Sequence, residues 1–265
     1  MHPFLFQTGG FRLPMYGLMI AAGYLVALLY IFRRNKDIGI ERKNLEDLMF
    51  YILLSGILGG KLFYIFTYWS EFGAALSDKI IYIFRSFQYG FVFYGGFLTS
   101  LAVFFFFTWK KKMPRTATLD LIAPALALAH AFGRVGCFFA GCCYGRPTDS
   151  FFGVIFDNPQ GEIPATLRGV PIHPVQLYEA FGNLILFTVL NQILSKEIRT
   201  KKLRGRVFCA YALLYGLLRF TLEFFRGDDR GSGLLSLSPA QTISAIIVIA
   251  AIVFLSVINK KNEKK

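Results

Sequence analysis

The stretch Leu13-Pro-Met-Tyr-Gly-Leu-Met-Ile-Ala-Ala-Gly-Tyr-Leu-Val-Ala-Leu-Leu-Tyr-Ile-Phe32 runs for twenty residues without a charge, and Arg33, Arg34, Lys36, Arg42 and Lys43 follow it. A helix of that length matches the roughly 30 Å hydrocarbon thickness of a bilayer. The block is too long for a signal-peptide core, and its basic residues come after it rather than before it. It is expected to remain as a membrane-spanning helix whose C-terminal end faces the cytoplasm.

Working outward, the same pattern recurs at about 48–67, 90–109, 119–139, 177–194 and 207–225, and once more after Ser238 and Pro239. Lys61 interrupts the second block late, where its long stem can snorkel to the interface. Pro239 suits the first turn of the last helix. Of 29 Lys and Arg, nineteen fall in four short segments, 33–43, 110–115, 196–206 and 260–265. That bias predicts seven transmembrane helices with the N-terminus outside and the C-terminus cytoplasmic. The fold class is thus all-α and polytopic, one integral membrane domain over 1–265, with outer loops or partial helices at about 68–89 and 142–174.

Composition agrees: 55% of residues are apolar, 17% are charged, and there are 30 Phe, as lipid-facing surface requires. A net charge of +13 would suggest nucleic acid as partner in a soluble protein. Here the clustering between apolar blocks points to an anionic leaflet instead, and no nucleic-acid-binding motif is visible. A monomer is expected, because every helix can find partners within seven.

Cys137, Cys142, Cys143 and Cys209 lie in apolar segments and make no extracellular disulfide framework; the vicinal pair would bridge only with strain. With His130 they fit no standard zinc spacing, and buried thiols usually behave as small hydrophobes. Neither a metal nor a cofactor is expected.

The chemistry-bearing residues are those that a bilayer penalises. Arg134 sits in an apolar helix and needs a partner or an aqueous cavity. His130, Arg134 and Cys137 are spaced four and three apart and share one helix face. Arg219, Glu223 and Arg226 repeat that spacing, and Glu223 can neutralise one arginine while the other meets an anion. Guanidinium groups match phosphate oxygens bidentately. A packing ion pair is the plainer reading of either face. His173, Gln176 and Glu179 recur every three residues beside Tyr178, at the end of the long loop, where a histidine more often fixes the loop than acts as a base. Tyr94 offers a hydroxyl, and Gly95 and Gly96 would let a lipid headgroup approach the backbone; aromatic anchoring at the interface is the competing role for Tyr94.

At His130-Ala-Phe-Gly-Arg-Val-Gly-Cys-Phe-Phe-Ala-Gly-Cys-Cys-Tyr-Gly145 the chain resembles the prolipoprotein diacylglyceryl transferase family. Tyr94-Gly-Gly96, His173-Pro-Val-Gln-Leu-Tyr-Glu179, Gly216-Leu-Leu-Arg-Phe-Thr-Leu-Glu-Phe-Phe-Arg226 and the opening Phe11-Arg-Leu-Pro-Met-Tyr-Gly17 extend the resemblance over nearly the whole chain. It implies seven transmembrane helices in the bacterial cytoplasmic (inner) membrane. It also implies transfer of the diacylglyceryl group of phosphatidylglycerol to the lipobox cysteine thiol of a prolipoprotein, carried on its signal peptide, with release of glycerol 1-phosphate. By the same resemblance Arg134 and Arg219 match essential arginines, Glu223 and Arg226 the acidic and basic positions after them, Tyr16 a tyrosine of the first helix and Gly145 a glycine closing the motif. Two positions depart: familiar members have histidine at Tyr94, discussed as activating the acceptor thiol, and asparagine at Cys137.

The catalytic set expected is therefore Arg134, Arg219, Tyr94 and Glu223. The substrate-binding set is Tyr16, Gly95, Gly96, His130, Cys137, Gly145, His173, Gln176, Tyr178 and Arg226. Two rivals stay open: a paralogous transferase using the same donor on another acceptor, and a non-enzymatic lipid- or anion-binding protein or transporter.

Overall fold

The computed structural model describes residues 2–9, 11–73, 75–85, 90–228 and 237–263. In chain order the elements are β1 (Phe4–Thr8), β2 (Phe11–Pro14), α1 (Met15–Asn35), α2 (Arg42–Thr67), α3 (Leu76–Arg85), α4 (Phe93–Lys110), α5 (Arg115–Ala140), β3 (Val154–Ile155), β4 (Pro171–Ile172), α6 (Val175–Arg199), α7 (Arg206–Leu222) and α8 (Pro239–Glu263). Among the described residues, six segments, Met15–Asn35, Arg42–Thr67, Arg115–Ala140, Val175–Arg199, Arg206–Phe225 and Pro239–Ile258, are long and apolar enough to cross a membrane. The eighteen-residue α4 falls outside those six. The protein is a helical, polytopic membrane protein, interrupted by two two-stranded antiparallel ribbons, β1 with β2 and β3 with β4.

The two segments expected as outer loops or partial helices both carry local structure among the described residues. Residues 68–89 hold a 3-10 turn at Trp69–Phe72 and the helix α3. The long loop at 142–174 folds around its own apolar centre of Phe156, Ile163 and Ile172, which ties β3 and β4 together. A stretch of that length can stay ordered only if it buries something of its own.

The chain groups into two compact units, Met1–Ile38 with Thr116–Lys265, and Gly39–Arg115. In the smaller unit, α2 and α4 pack through small residues, as membrane helices do where lipid removes the hydrophobic incentive to associate. Thr99 Oγ1 donates to Ser55 O at 2.8 Å and Ser100 Oγ to Ile52 O at 3.0 Å, so hydroxyls stitch one helix to the carbonyls of the other.

The larger unit packs Ala123 and Ala127 of α5 against Leu186, Leu190 and Leu194 of α6 and Val207 of α7. Asp120 lies in the same helix and is fully buried. Its Oδ2 accepts the Gly205 N–H at 2.8 Å and its Oδ1 accepts the Phe208 N–H at 3.0 Å. A carboxylate on α5 therefore satisfies the open N–H groups at the start of α7, where the helix dipole favours negative charge. Loss of a side-chain cap costs about 0.5–2 kcal/mol. Asp120→Ala is accordingly expected to lower the unfolding midpoint in detergent, while Asp120→Asn, which keeps one acceptor, lowers it less; thermal unfolding followed by circular dichroism reads the difference.

Candidate active site

Helix direction gathers one set of ends in the larger unit: the start of α1, the end of α5, the start of α6, the end of α7 and the start of α8. The polar residues singled out in the sequence concentrate there. At the centre is Glu179 of α6, whose side chain has no solvent exposure. Its Oε1 lies 3.1 Å from Arg134 Nε and accepts the Tyr215 hydroxyl at 3.2 Å. The same Arg134 Nε–H donates to His130 Nε2 at 3.3 Å. Three helices, α5, α6 and α7, meet on one carboxylate.

A second cluster lies one turn further along α7. Arg219 Nη1 stands 2.7 Å from Glu223 Oε2, and Ser238 Oγ donates to Glu223 Oε1 at 2.7 Å. Glu223 belongs to a 3-10 turn, Glu223–Phe225, and Arg226 to an extended segment after it, so the expected helical face of Arg219, Glu223 and Arg226 ends early. The reason lies in the backbone. Arg226 bridges to Gly145, and Arg146 N–H donates to Phe225 O at 2.9 Å. Arg226 is matched by Asp228 through two hydrogen bonds, Nε to Oδ1 at 2.8 Å and Nη2 to Oδ2 at 2.6 Å, rather than being left for an anion.

The donors of this cluster without hydrogen bonds are on Arg219. Arg219 Nη1 and Nη2 are buried and make none among the described residues; Nη1 touches Glu223 by charge alone. Arg134 spends its Nε–H, and its charge and that of Arg219 both reach His130 and Tyr215. The two guanidinium groups thus act on the same two side chains, and the buried Arg219 keeps hydrogen-bonding capacity in reserve. Glu179 Oε2, Gln176 Oε1 and Asn183 Oδ1 are buried acceptors that also lack hydrogen bonds among the described residues.

The loop after α5 is pinned to this cluster at Gly145. Its N–H donates to His173 O at 3.1 Å, the His173 N–H returns to Arg146 O at 3.0 Å, and Gly227 N–H donates to Tyr144 O at 3.1 Å. A Cβ on Gly145 would fall 2.6 Å from His173 Cβ and collide with its carbonyl, so only glycine lets the three segments cross. Gln176 Nε2 donates to Cys142 O at 2.7 Å, and His173 Nδ1 lies 3.2 Å from the Tyr178 hydroxyl, with its ring edge-on to Phe225. Gln176, His173 and Tyr178 hold the loop. Tyr16, half-exposed on α1, packs on Gly136, where a Cβ would meet its Cδ2 at 3.2 Å.

Cys137, Cys142 and Cys143 come together, their Sγ atoms all within 4.8 Å of one another. Hydrogen bonds among the three thiols, with the Arg226 guanidinium adding to them, lower the Cys143 thiol, and the same contacts raise that of Cys142.

Tyr94, Gly95 and Gly96 belong to the smaller unit, at the first turn of α4. The Tyr94 side chain is half-exposed beside Phe93. A Cβ on Gly96 would lie 2.7 Å from Gly56 O, and one on Gly95 would collide with Phe63, so the space left by their missing side chains is filled by α2.

Sequence reading passed over Glu179 as the partner of Arg134, and it missed Tyr215, Ser238 and Asp228. The signal for Glu179 was its position in a long apolar helix, where a carboxylate needs a cation as urgently as Arg134 needs an anion. Tyr215 stands four residues before Arg219, the same helical spacing that linked the other pairs.

The family profile for prolipoprotein diacylglyceryl transferase matches residues 3–257. A phosphatidylglycerol–prolipoprotein diacylglyceryl transferase of Clostridium tetani is 35% identical over 252 residues, covering 95% of this chain and 96% of that protein. The transferase 2 of the same name from Clostridium perfringens is 36% identical over 257 residues, covering 97% and 95%. One from Bordetella parapertussis is 33% identical over 256 residues, covering 94% and 92%.

Removing one partner of a buried ion pair costs about 3–5 kcal/mol because the other charge is left uncompensated. Glu179→Ala is therefore expected to lower the detergent unfolding midpoint sharply. Combining it with Arg134→Ala should cost less than the sum of the two single changes, a non-additivity that a double-mutant cycle measures.

Proposed function

The chain belongs to the prolipoprotein diacylglyceryl transferase family, and on that footing we propose that it transfers the diacylglyceryl group of phosphatidylglycerol to the lipobox cysteine thiol of a prolipoprotein, releasing glycerol 1-phosphate. It is an enzyme of the bacterial inner membrane. The observation that carries the mechanistic part is a pair of arginines, Arg134 and Arg219, whose charges reach the same His130 and Tyr215, the buried Arg219 Nη1 and Nη2 making no hydrogen bond among the described residues.

In the reaction proposed, the acceptor thiolate attacks the glycerol carbon that bears the phosphate. The new C–S bond forms as the C–O bond breaks, and the electron pair leaves on the phosphate oxygen. Arg134 and Arg219 bind the phosphate and stabilise charge as it builds on the leaving group, which is where fixed donors raise rate most. Glu179 and Glu223 hold the two guanidinium groups in place and keep the pocket from a large unbalanced positive charge. Gly145, His173, Gln176, Tyr178 and Arg226 position the loop beside them, and Tyr16 and Cys137 line the approach. Tyr94, which stands where familiar members carry histidine, is the first candidate for managing the proton of the acceptor thiol, with His173 and His130 the next.

The topology that suits this reading has α1, α2, α4, α5, α6, α7 and α8 as seven spans, with the N-terminus outside and α3 at the interface. The basic segments at 33–43, 110–115, 196–206 and 260–265 then all face the cytoplasm. The cluster around Glu179 lies toward the outer side, where a secreted acceptor arrives, and the two acyl chains stay in hydrocarbon.

Reconstituted protein given labelled phosphatidylglycerol and a lipobox peptide is expected to yield lipidated peptide and free glycerol phosphate in equal amounts. Donor turnover without lipidated peptide would replace this acceptor with another; no donor turnover with any acceptor would remove the enzymatic assignment. Arg134→Ala and Arg219→Ala should each reduce turnover by about 10²–10³-fold or more, the scale of losing one preorganised charge-stabilising donor. Arg134→Lys should recover little, since an ammonium cannot keep Glu179 and still present a planar fork.

A further inference from the structure

The sequence Cys137-Phe-Phe-Ala-Gly-Cys-Cys143 places three thiols at a spacing that fits no familiar metal motif, and the fold supplies the reason they meet. Helix α5 ends in a reversed turn. Gly141 has φ +80°, its N–H donates to Phe138 O at 3.3 Å, and the Cys142 N–H reaches back to Cys137 O at 3.2 Å. This paired 6→1 and 5→2 arrangement turns the chain back over the last helical turn. It brings Cys142 beside Cys137, whose carbonyl is 3.8 Å from Cys142 Sγ. Cys143 then takes φ +60°, a left-handed conformation that costs a residue with a Cβ about 1–2 kcal/mol. The strained residue is the one that completes the cluster.

We infer that Cys137, Cys142 and Cys143 form a three-thiolate site for one soft divalent cation of the zinc class. Zinc–sulfur bonds of about 2.3 Å put tetrahedral sulfurs roughly 3.8 Å apart. Sγ atoms already within 4.8 Å of one another therefore need only small side-chain rotations to close on an ion. Three sulfur donors select a soft metal over magnesium or calcium. Three thiolates and a divalent cation leave one net negative charge, and the surroundings are suited to it: the Arg226 guanidinium hydrogen-bonds Cys143, and the charge of Arg134 reaches Cys137 and Cys143. No further His, Cys, Asp or Glu among the described residues joins the group. The site thus has three protein ligands and one position for a small ligand, which is the pattern of an open rather than a closed zinc site. Bound there, the ion would tie the end of α5 to the loop that runs to Gly145.

The test is metal binding by the intact protein in detergent, read apart from transfer activity. Metal analysis should find one zinc per chain. After zinc is removed, titration with Co²⁺ should give a sulfur-to-cobalt charge-transfer band that saturates at one equivalent and is displaced by Zn²⁺. Cys142→Ser and Cys143→Ser should each weaken Co²⁺ binding by at least about tenfold, the smallest loss seen for removing even an outer-shell partner. Cys209→Ser, whose thiol lies on α7, should bind as the parent does. Absence of both zinc and the band in the unaltered protein would overturn the inference. So would a thiol count two short of four, which would mean a disulfide in the cluster, or a band that survives in the Cys142→Ser, Cys143→Ser double variant.

Discussion

A carboxylate without access to water governs the larger unit. Glu179 is fully buried in a helix that must otherwise satisfy hydrocarbon, and such a charge persists only with a partner and hydrogen bonds to its oxygens. Arg134 supplies the charge and Tyr215 a hydrogen bond, both at Oε1, while Oε2 has no hydrogen bond among the described residues. Because the three residues sit on α6, α5 and α7, meeting that need also fixes how the three helices face one another. Apolar contacts such as those of Leu186, Leu190 and Leu194 fill the remaining space, yet side chains of that kind find lipid tails equally good company. Polar contacts and small residues are what distinguish a partner helix from the bilayer.

The same economy recurs away from the site. Asp120 on α5 caps α7, Glu197 on α6 pairs with Arg206 at 3.0 Å, and Thr99 and Ser100 on α4 bond carbonyls of α2. Around Gly145 the principle is carried by backbone alone, three segments exchanging N–H and C=O groups at a crossing too tight for any side chain. This crossing places Arg226 against the loop and lets Asp228 take its charge, so that of the three arginines it is the buried Arg219 that keeps donors without a hydrogen bond among the described residues.

Much of this was legible in the sequence, for definite reasons. Spans show because a bilayer demands about twenty apolar residues in a row, and the 13–32 block and α1 differ only at their ends. Arg134 and Arg219 show because charge in such a block is expensive. Partnership was harder to see. Glu179 and Arg134 are 45 residues apart in sequence and meet only through the packing of α5 on α6, which no local spacing encodes. Helix periodicity misled at Arg226, where exchange of backbone hydrogen bonds with Gly145 and Arg146 ended the helix before the i, i+3 pattern could apply. Motif spacing did not show that the three cysteines meet, because a left-handed glycine after the helix, not the helix itself, brings the thiols together. The fold of 142–174 escaped notice since its apolar residues are few and scattered until Phe156, Ile163 and Ile172 converge.

The central claim is that Arg134 and Arg219 read the phosphate of the donor lipid. Equilibrium binding of phosphatidylglycerol and of diacylglycerol with the same acyl chains, to the parent protein and to Arg134→Ala and Arg219→Ala in detergent, tests it without requiring turnover. The account predicts that the parent prefers phosphatidylglycerol and that each substitution removes most of that preference while leaving diacylglycerol binding nearly unchanged. A preference for phosphatidylglycerol that survives both substitutions would contradict it.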